Sequence, residues 1–167
     1  MEISALKFFP RHTRITVRFH HHLYSSQIPN LADNLLQLMP SLRNHLCVNR
    51  NGLRFEEEVE DSELGHVFEH VILSILSQRG MCVRGQTTWN WHHDPLGTYQ
   101  VTIHTGKKLA VKESLLIAQA VFTNAMLGPV VRIALPRPQA GSLPLVVQSA
   151  TRPDRVLFAA EPAAQTN

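Results

Sequence analysis

His66, Glu69 and His70 stand at a spacing that can do chemistry. On an α-helix, residues i and i+4 project from one face, so both imidazoles can reach a single ion, and Glu69 lies beside them. The order is H-x-x-E-H, the reverse of the more familiar H-E-x-x-H. Two neutral imidazoles suit zinc, and a third protein ligand would leave the fourth tetrahedral position for water. Bound zinc lowers the pKa of that water from nearly 16 to about 7. A carboxylate beside it can take the proton and pass it to the leaving group, which makes Glu69 the candidate general base. The chemistry that these three residues support is zinc-dependent hydrolysis.

The third ligand has to come from another element, and Glu113 is the candidate. In a helix over 108–127, Lys112, Gln119 and Thr123 form one polar stripe, and Glu113 lies off it among Leu109, Leu116, Ile117 and Ala120. A carboxylate buried there needs a cation or a hydrogen-bond donor. The alternative is a salt bridge to a Lys or Arg. His92, His93 and Asp94 are rival ligands at a hairpin tip. His20-His21-His22 fall on an expected strand, where neighbours point to opposite faces, so they cannot all serve one site and read as surface residues. Cys47 and Cys82 have no spacing that suggests a metal site.

The elements that must position these residues follow from periodicity and punctuation. Residues 2–9 and 13–23 read as strands, the second with Ile15, Val17 and Phe19 alternating with polar residues. A short helix fits 31–38, closed by Pro40. The acidic stretch 49–62, with Glu56-Glu57-Glu58, reads as a solvated loop. The helix that carries the histidines spans about 62–79, with Asp61 or Ser62 as its cap and Gly80 as its stop. It is apolar nearly all round, which predicts burial on both sides and places His66 and His70 against protein or a cleft. Residues 81–91 and 98–105 form an antiparallel hairpin. A helix over 108–127 stops at Gly128-Pro129, and strand-like pieces follow at 130–135, 143–149 and 155–159. The expected architecture is α+β, two layers, with helices packed on one face of a mainly antiparallel sheet. One domain over 1–160 with a frayed tail over 161–167 suits the length.

Composition narrows the function classes. An apolar fraction of 44%, a charged fraction of 17% and a net charge of +3 describe an ordinary globular chain. The basic residues are scattered, Arg11, Arg14 and Arg18 being the loosest of groups, so nucleic acid is not an expected partner. No run nears the roughly 18 apolar residues that span a bilayer, and no membrane is expected. Met1-Glu2-Ile3-Ser4 does not open a signal peptide, and two cysteines make no disulfide framework, so the expected setting is cytoplasmic. Ten histidines are the outlier, which suits a metal protein. G-x-x-x-x-G-K-[ST] and G-x-S-x-G are both absent.

Gly65-His66-Val67-Phe68-Glu69-His70-Val71, followed by Arg79-Gly80-Met81-Cys82-Val83, resembles the N-terminal domain of cyanophycin synthetase. Ile28-Pro29, Leu38-Met39-Pro40-Ser41-Leu42, His45-Leu46-Cys47 and Gly97-Thr98-Tyr99-Gln100-Val101 support the likeness, which is clear over about 28–105 and weaker to about 127. That enzyme polymerises aspartate and arginine with an ATP-grasp and a Mur-ligase-like domain. This chain has neither, so it is not expected to make the polymer. The resemblance implies a metallopeptidase-like site that trims the polymer, with His66, His70 and Glu113 as ligands and Glu69 as base. One departure stands out. Where the family tends to read Gly-Arg-Thr-Arg, this chain has Gly85-Gln86-Thr87-Thr88, so both arginines are missing. Gln86 and Thr88, with Arg84 as a compensating charge, are the expected substrate-facing residues.

Two functions follow as expectations. One is a zinc hydrolase of an amide or isopeptide bond in cyanophycin or a related peptide. The other is a non-catalytic module that docks on cyanophycin or on a full-length synthetase. Neither requires more than one chain, and a homo-oligomer is compatible with both.

Overall fold

The computed structural model describes residues 1–47 and 52–128, and the backbone of 148–153. The elements are β1 (Glu2–Phe8), β2 (Thr13–Arg18), α1 (Leu31–Leu38), β3 (Leu46–Cys47), α2 (Phe55–Glu58), α3 (Leu64–Gln78), β4 (Gly85–Trp89), β5 (Thr98–Ile103), α4 (Lys108–Leu127) and β6 (Gln148–Pro153). The sheet order is β1-β2-β5-β4-β6-β3. β1, β2, β5 and β4 pair antiparallel, while β6 joins β4 and β3 in parallel. The fold is α+β, as the alternation of strand pairs and helices predicts.

The pleat decides which face the helices cover. Ile15 and Val17 of β2 and Tyr99, Val101 and Ile103 of β5 are buried, while Arg14, Thr16, Gln100 and Thr102 alternate with them and keep partial or full exposure. α3 lies on the buried face and contacts β4, β5 and α4. Every residue from Leu64 to Leu76 is buried, so α3 is enclosed on all sides, as its all-round apolar character predicts. Gly65 makes the closest approach possible. A Cβ there would fall within the ring of Tyr99, 2.7 Å from the Tyr99 Cβ.

Several boundaries differ from expectation. β2 ends at Arg18, and His20–His22 sit in a bend beyond it, with His20 and His21 exposed. Of the stretch 49–62, residues 49–51 lie outside the described residues, and the rest is no plain loop. Phe55 and Val59 are buried and hold α2 and a 3-10 turn at Val59–Asp61 against the core. Neither Asp61 nor Ser62 caps α3. Its N-cap is Glu63, without a side-chain bond, and the Ser62 hydroxyl donates to the Glu58 carbonyl instead. Residues 81–84 are not strand, and β4 begins at Gly85. The helix over 108–127 is α4 exactly as spaced, ending at Gly128 with φ +95°. Of the three expected late strands, 130–135 and 155–159 lie outside the described residues, as do 143–147 and the tail 161–167; β6 overlaps the last two residues of the expected strand 143–149. Among the described residues no helix is long and apolar enough to cross a membrane.

Candidate metal centre

Three elements converge at the first two turns of α3. His66 and His70 project from one side of it, and β3 brings Cys47 to meet them. The Cys47 thiol sulfur lies 3.5 Å from His66 Nε2 and 3.5 Å from His70 Nε2. All three donor atoms lie within 4.8 Å of one another, and all three residues are buried. β3 is held in place by its own backbone. Cys47 N–H donates to the Leu53 carbonyl at 3.1 Å, and Phe55 N–H donates to the His45 carbonyl at 2.9 Å. Phe55 then stacks on His70, centroids 4.3 Å apart, and fixes the ring from the side.

These donors fit a zinc ion. Bonds of about 2.05 Å to nitrogen and 2.3 Å to sulfur at the tetrahedral angle give a nitrogen–sulfur edge of about 3.6 Å. Both observed nitrogen–sulfur edges, 3.5 Å each, match it. The protonation states also suit. Burial lowers the pKa of His45 and of His66 to about 4. Burial, then the neighbouring His66 and His45, holds His70 well below its ordinary value. Neutral imidazole is the form that binds metal. Burial, followed by a hydrogen bond to Glu58 and the charges of Glu58 and Glu69, pushes the Cys47 thiol up. A bound cation inverts that last effect, because a coordinating thiol gives up its proton.

Glu69 is fully buried. Its Oε2 accepts a hydrogen bond from the Thr87 hydroxyl at 2.5 Å, and that hydroxyl also reaches the Gly65 carbonyl at 3.4 Å. Gly85 leaves the room the carboxylate occupies, since a Cβ at position 85 would collide with Glu69 Oε1 and stand 2.9 Å from its Cδ. Thr87 and Gly85 share the face of β4 that meets α3.

The family model of the cyanophycin synthase-like N-terminal domain matches residues 14–126. The chain belongs to that family. The match takes in α3, β3 and β4, and so every residue of the cluster just described. No curated protein matches the chain.

Within this cyanophycin synthase-like domain, the structure brings together His66, Glu69 and His70 from the expected site. It does not bring Glu113 to them. Glu113 is exposed on α4, and its carboxylate accepts from Arg79 Nη1 at 2.5 Å, which is the salt-bridge alternative. Arg79 caps the far end of α3, two and a half turns beyond His70, or roughly 13 Å at 1.5 Å per residue. The apolar neighbours that argued for burial are themselves outside: Leu109 and Leu116 are each 69% exposed. The inward stripe of α4 is Val111, Leu115, Ala118, Phe122 and Ala125.

The expected substrate residues also lie elsewhere. Gln86 and Thr88 alternate with Thr87, pair with Thr102 and Gln100 of β5, and project from the sheet face away from α3. Arg84 is exposed, with its carbonyl accepting from His104 N–H. His92 and His93 are exposed in the β4–β5 turn.

Cys47, His45 and Thr87 are the residues that reading the sequence for spacing overlooks. A signal for two of them existed. His45-Leu46-Cys47 is an x-y-x segment, and extended backbone puts its first and third side chains on one side.

Proposed function

We propose that this cyanophycin synthase-like domain is a zinc-dependent hydrolase of an amide or isopeptide bond in cyanophycin or a related peptide, with Cys47, His66 and His70 as ligands. One observation carries the reading: a thiol equidistant from two imidazole nitrogens, one helical turn from a buried carboxylate. Zinc held there would polarise the scissile carbonyl and acidify the attacking water. The chain supplies the rest. Glu69 accepts the water's proton and returns it to the leaving nitrogen. Thr87 fixes the rotamer of Glu69, and the surrounding core excludes bulk water, which strengthens each charge interaction in the site. Glu113 has no part in it.

Elemental analysis of protein loaded with zinc and then desalted should give about one ion per chain. Cys47→Ser and His66→Ala should lose it. Glu69→Gln should keep it while hydrolysis of cyanophycin or short peptides falls roughly 100-fold or more. Full zinc in the ligand variants, or an active Gln variant, would sink the reading. The burial of all three donors favours a second one, because closed sites are structural ones. On that reading the domain docks on the polymer or on a full-length synthetase, and zinc secures its fold. Binding of cyanophycin without cleavage by the zinc-loaded wild type would select it.

A further inference from the structure

His45 takes no part in the ligand set, yet it touches it. Its Nδ1 lies 3.0 Å from His70 Nδ1, inside the core, with only 3% of the residue exposed. Its backbone is fixed on both sides, the N–H donating to the Leu42 carbonyl at 3.1 Å and the carbonyl accepting from Phe55. The His70 ring is held in turn by Phe55, which stacks on it.

A hydrogen bond between two Nδ1 atoms contains one proton, and its owner decides what His70 can do. If His45 donates, neutral His70 carries its proton on Nε2 and turns an N–H toward Cys47 and His66. Nothing can then coordinate through that atom. If His70 donates, its Nε2 is a bare lone pair aimed at the point between the other two donors. His45 then accepts at Nδ1 and keeps its own proton on Nε2. Ligating histidines are commonly oriented in this way by a partner on the other ring nitrogen.

We infer that His45 is the positioning residue that holds His70 in the tautomer whose Nε2 can bind a divalent transition-metal ion. This rests on the metal reading of the site, and it adds a hydrogen-bond acceptor that the ligand set by itself does not require. The acceptor, and not the bulk of the ring, is what matters. His45→Phe keeps the bulk and removes the acceptor. His45→Asn restores an acceptor, since Asn Oδ1 stands close to where His Nδ1 stood.

Zinc affinity measured against a chromophoric chelator should fall roughly 10–100-fold in His45→Phe and recover most of the loss in His45→Asn. Long-range proton–nitrogen NMR of the metal-free wild type should show His70 protonated at Nδ1 and His45 at Nε2. The NMR result stands even if His45→Phe fails to fold. His70 protonated at Nε2 in the metal-free wild type, or wild-type zinc affinity in a folded His45→Phe, would overturn the inference. A wild type that takes up no zinc defeats the metal reading of the site, whereas the tautomer is tested separately because it is read without metal.

Discussion

Glu69 and Glu113 are the same side chain on two helices that pack against each other, and the structure uses them in opposite ways. Glu69 is sealed from solvent, held by the Thr87 hydroxyl and set beside three metal-competent donors. Glu113 sits on the outer surface of α4 with an arginine from the end of α3. A carboxylate's role is set by its enclosure. In the interior each charge is poorly screened and each partner is fixed, whereas at the surface water screens the charge and competes for the partner. Glu69 can therefore be tuned to a reaction, and Glu113 at most trims stability.

The comparison breaks most dramatically if charge is forced into the enclosed side. Burial lowers the pKa of His45 and of His66 to about 4, and burial, then the neighbouring His66 and His45, holds His70 well below the ordinary value near 6.5. Between those values the folded metal-free chain binds fewer protons than the unfolded chain. Its stability is therefore complete above about pH 6.5 and falls as the pH drops toward 4. Each histidine contributes a slope of about 1.4 kcal/mol per pH unit at most. Urea unfolding of chelator-treated protein should thus show a loss of a few kcal/mol between pH 7 and pH 5. Equal midpoints at the two pH values would show that these rings are wet.

A smaller perturbation targets Glu69 directly. Gly85→Ala places a methyl group where the Glu69 carboxylate now lies, against a side chain that is buried and pinned by Thr87. The backbone at position 85 is ordinary strand, so the cost comes from the collision and not from a strained φ. Overpacking of this kind costs about 1–3 kcal/mol. Zinc binding should persist, because none of the three donors moves. A variant as stable as the wild type would mean that Glu69 has another place to go.

The same contrast explains what could be read from the chain in advance. α1 and α4 were legible to the residue, and α3 within two residues at each end, because their signals are local: apolar periodicity and glycines such as Gly80 and Gly128. The pairing of His66, Glu69 and His70 was legible for the same reason, since one turn of helix guarantees it. Cys47 and Thr87 were not. They reach the site from β3 and β4, and only the assembled sheet brings those strands to α3. Glu113 was misread because α4 carries apolar residues on more than one face. Leu109 and Leu116 made its surroundings look like core, while the inward stripe ran through Val111, Leu115 and Phe122. The acidic run 56–58 was misread in the other direction. Phe55 and Val59 on either side of it are core residues, and they draw Glu58 in toward Cys47.

The smallest effect belongs to the surface pair, and it sharpens the comparison by contrast. Arg79 and Glu113 are close, 2.5 Å apart, but their side chains are 32% and 49% exposed. A pair in such a setting loses most of its attraction to solvent screening and gives up side-chain freedom to form, so its net worth is about 0–1 kcal/mol. Glu113→Ala should therefore lower stability by less than about 1 kcal/mol, and molar salt, which shortens the screening length to about 3 Å, should narrow the difference from wild type further. The same variant should bind zinc like the wild type, since its carboxylate stands beyond the far end of the helix from His66 and His70. Glu113→Ala is thus the control for every ligand variant. If it released zinc, α4 would have to rearrange on metal binding to carry Glu113 along α3, and the enclosed cluster of Cys47, His66 and His70 would no longer be the complete ligand set.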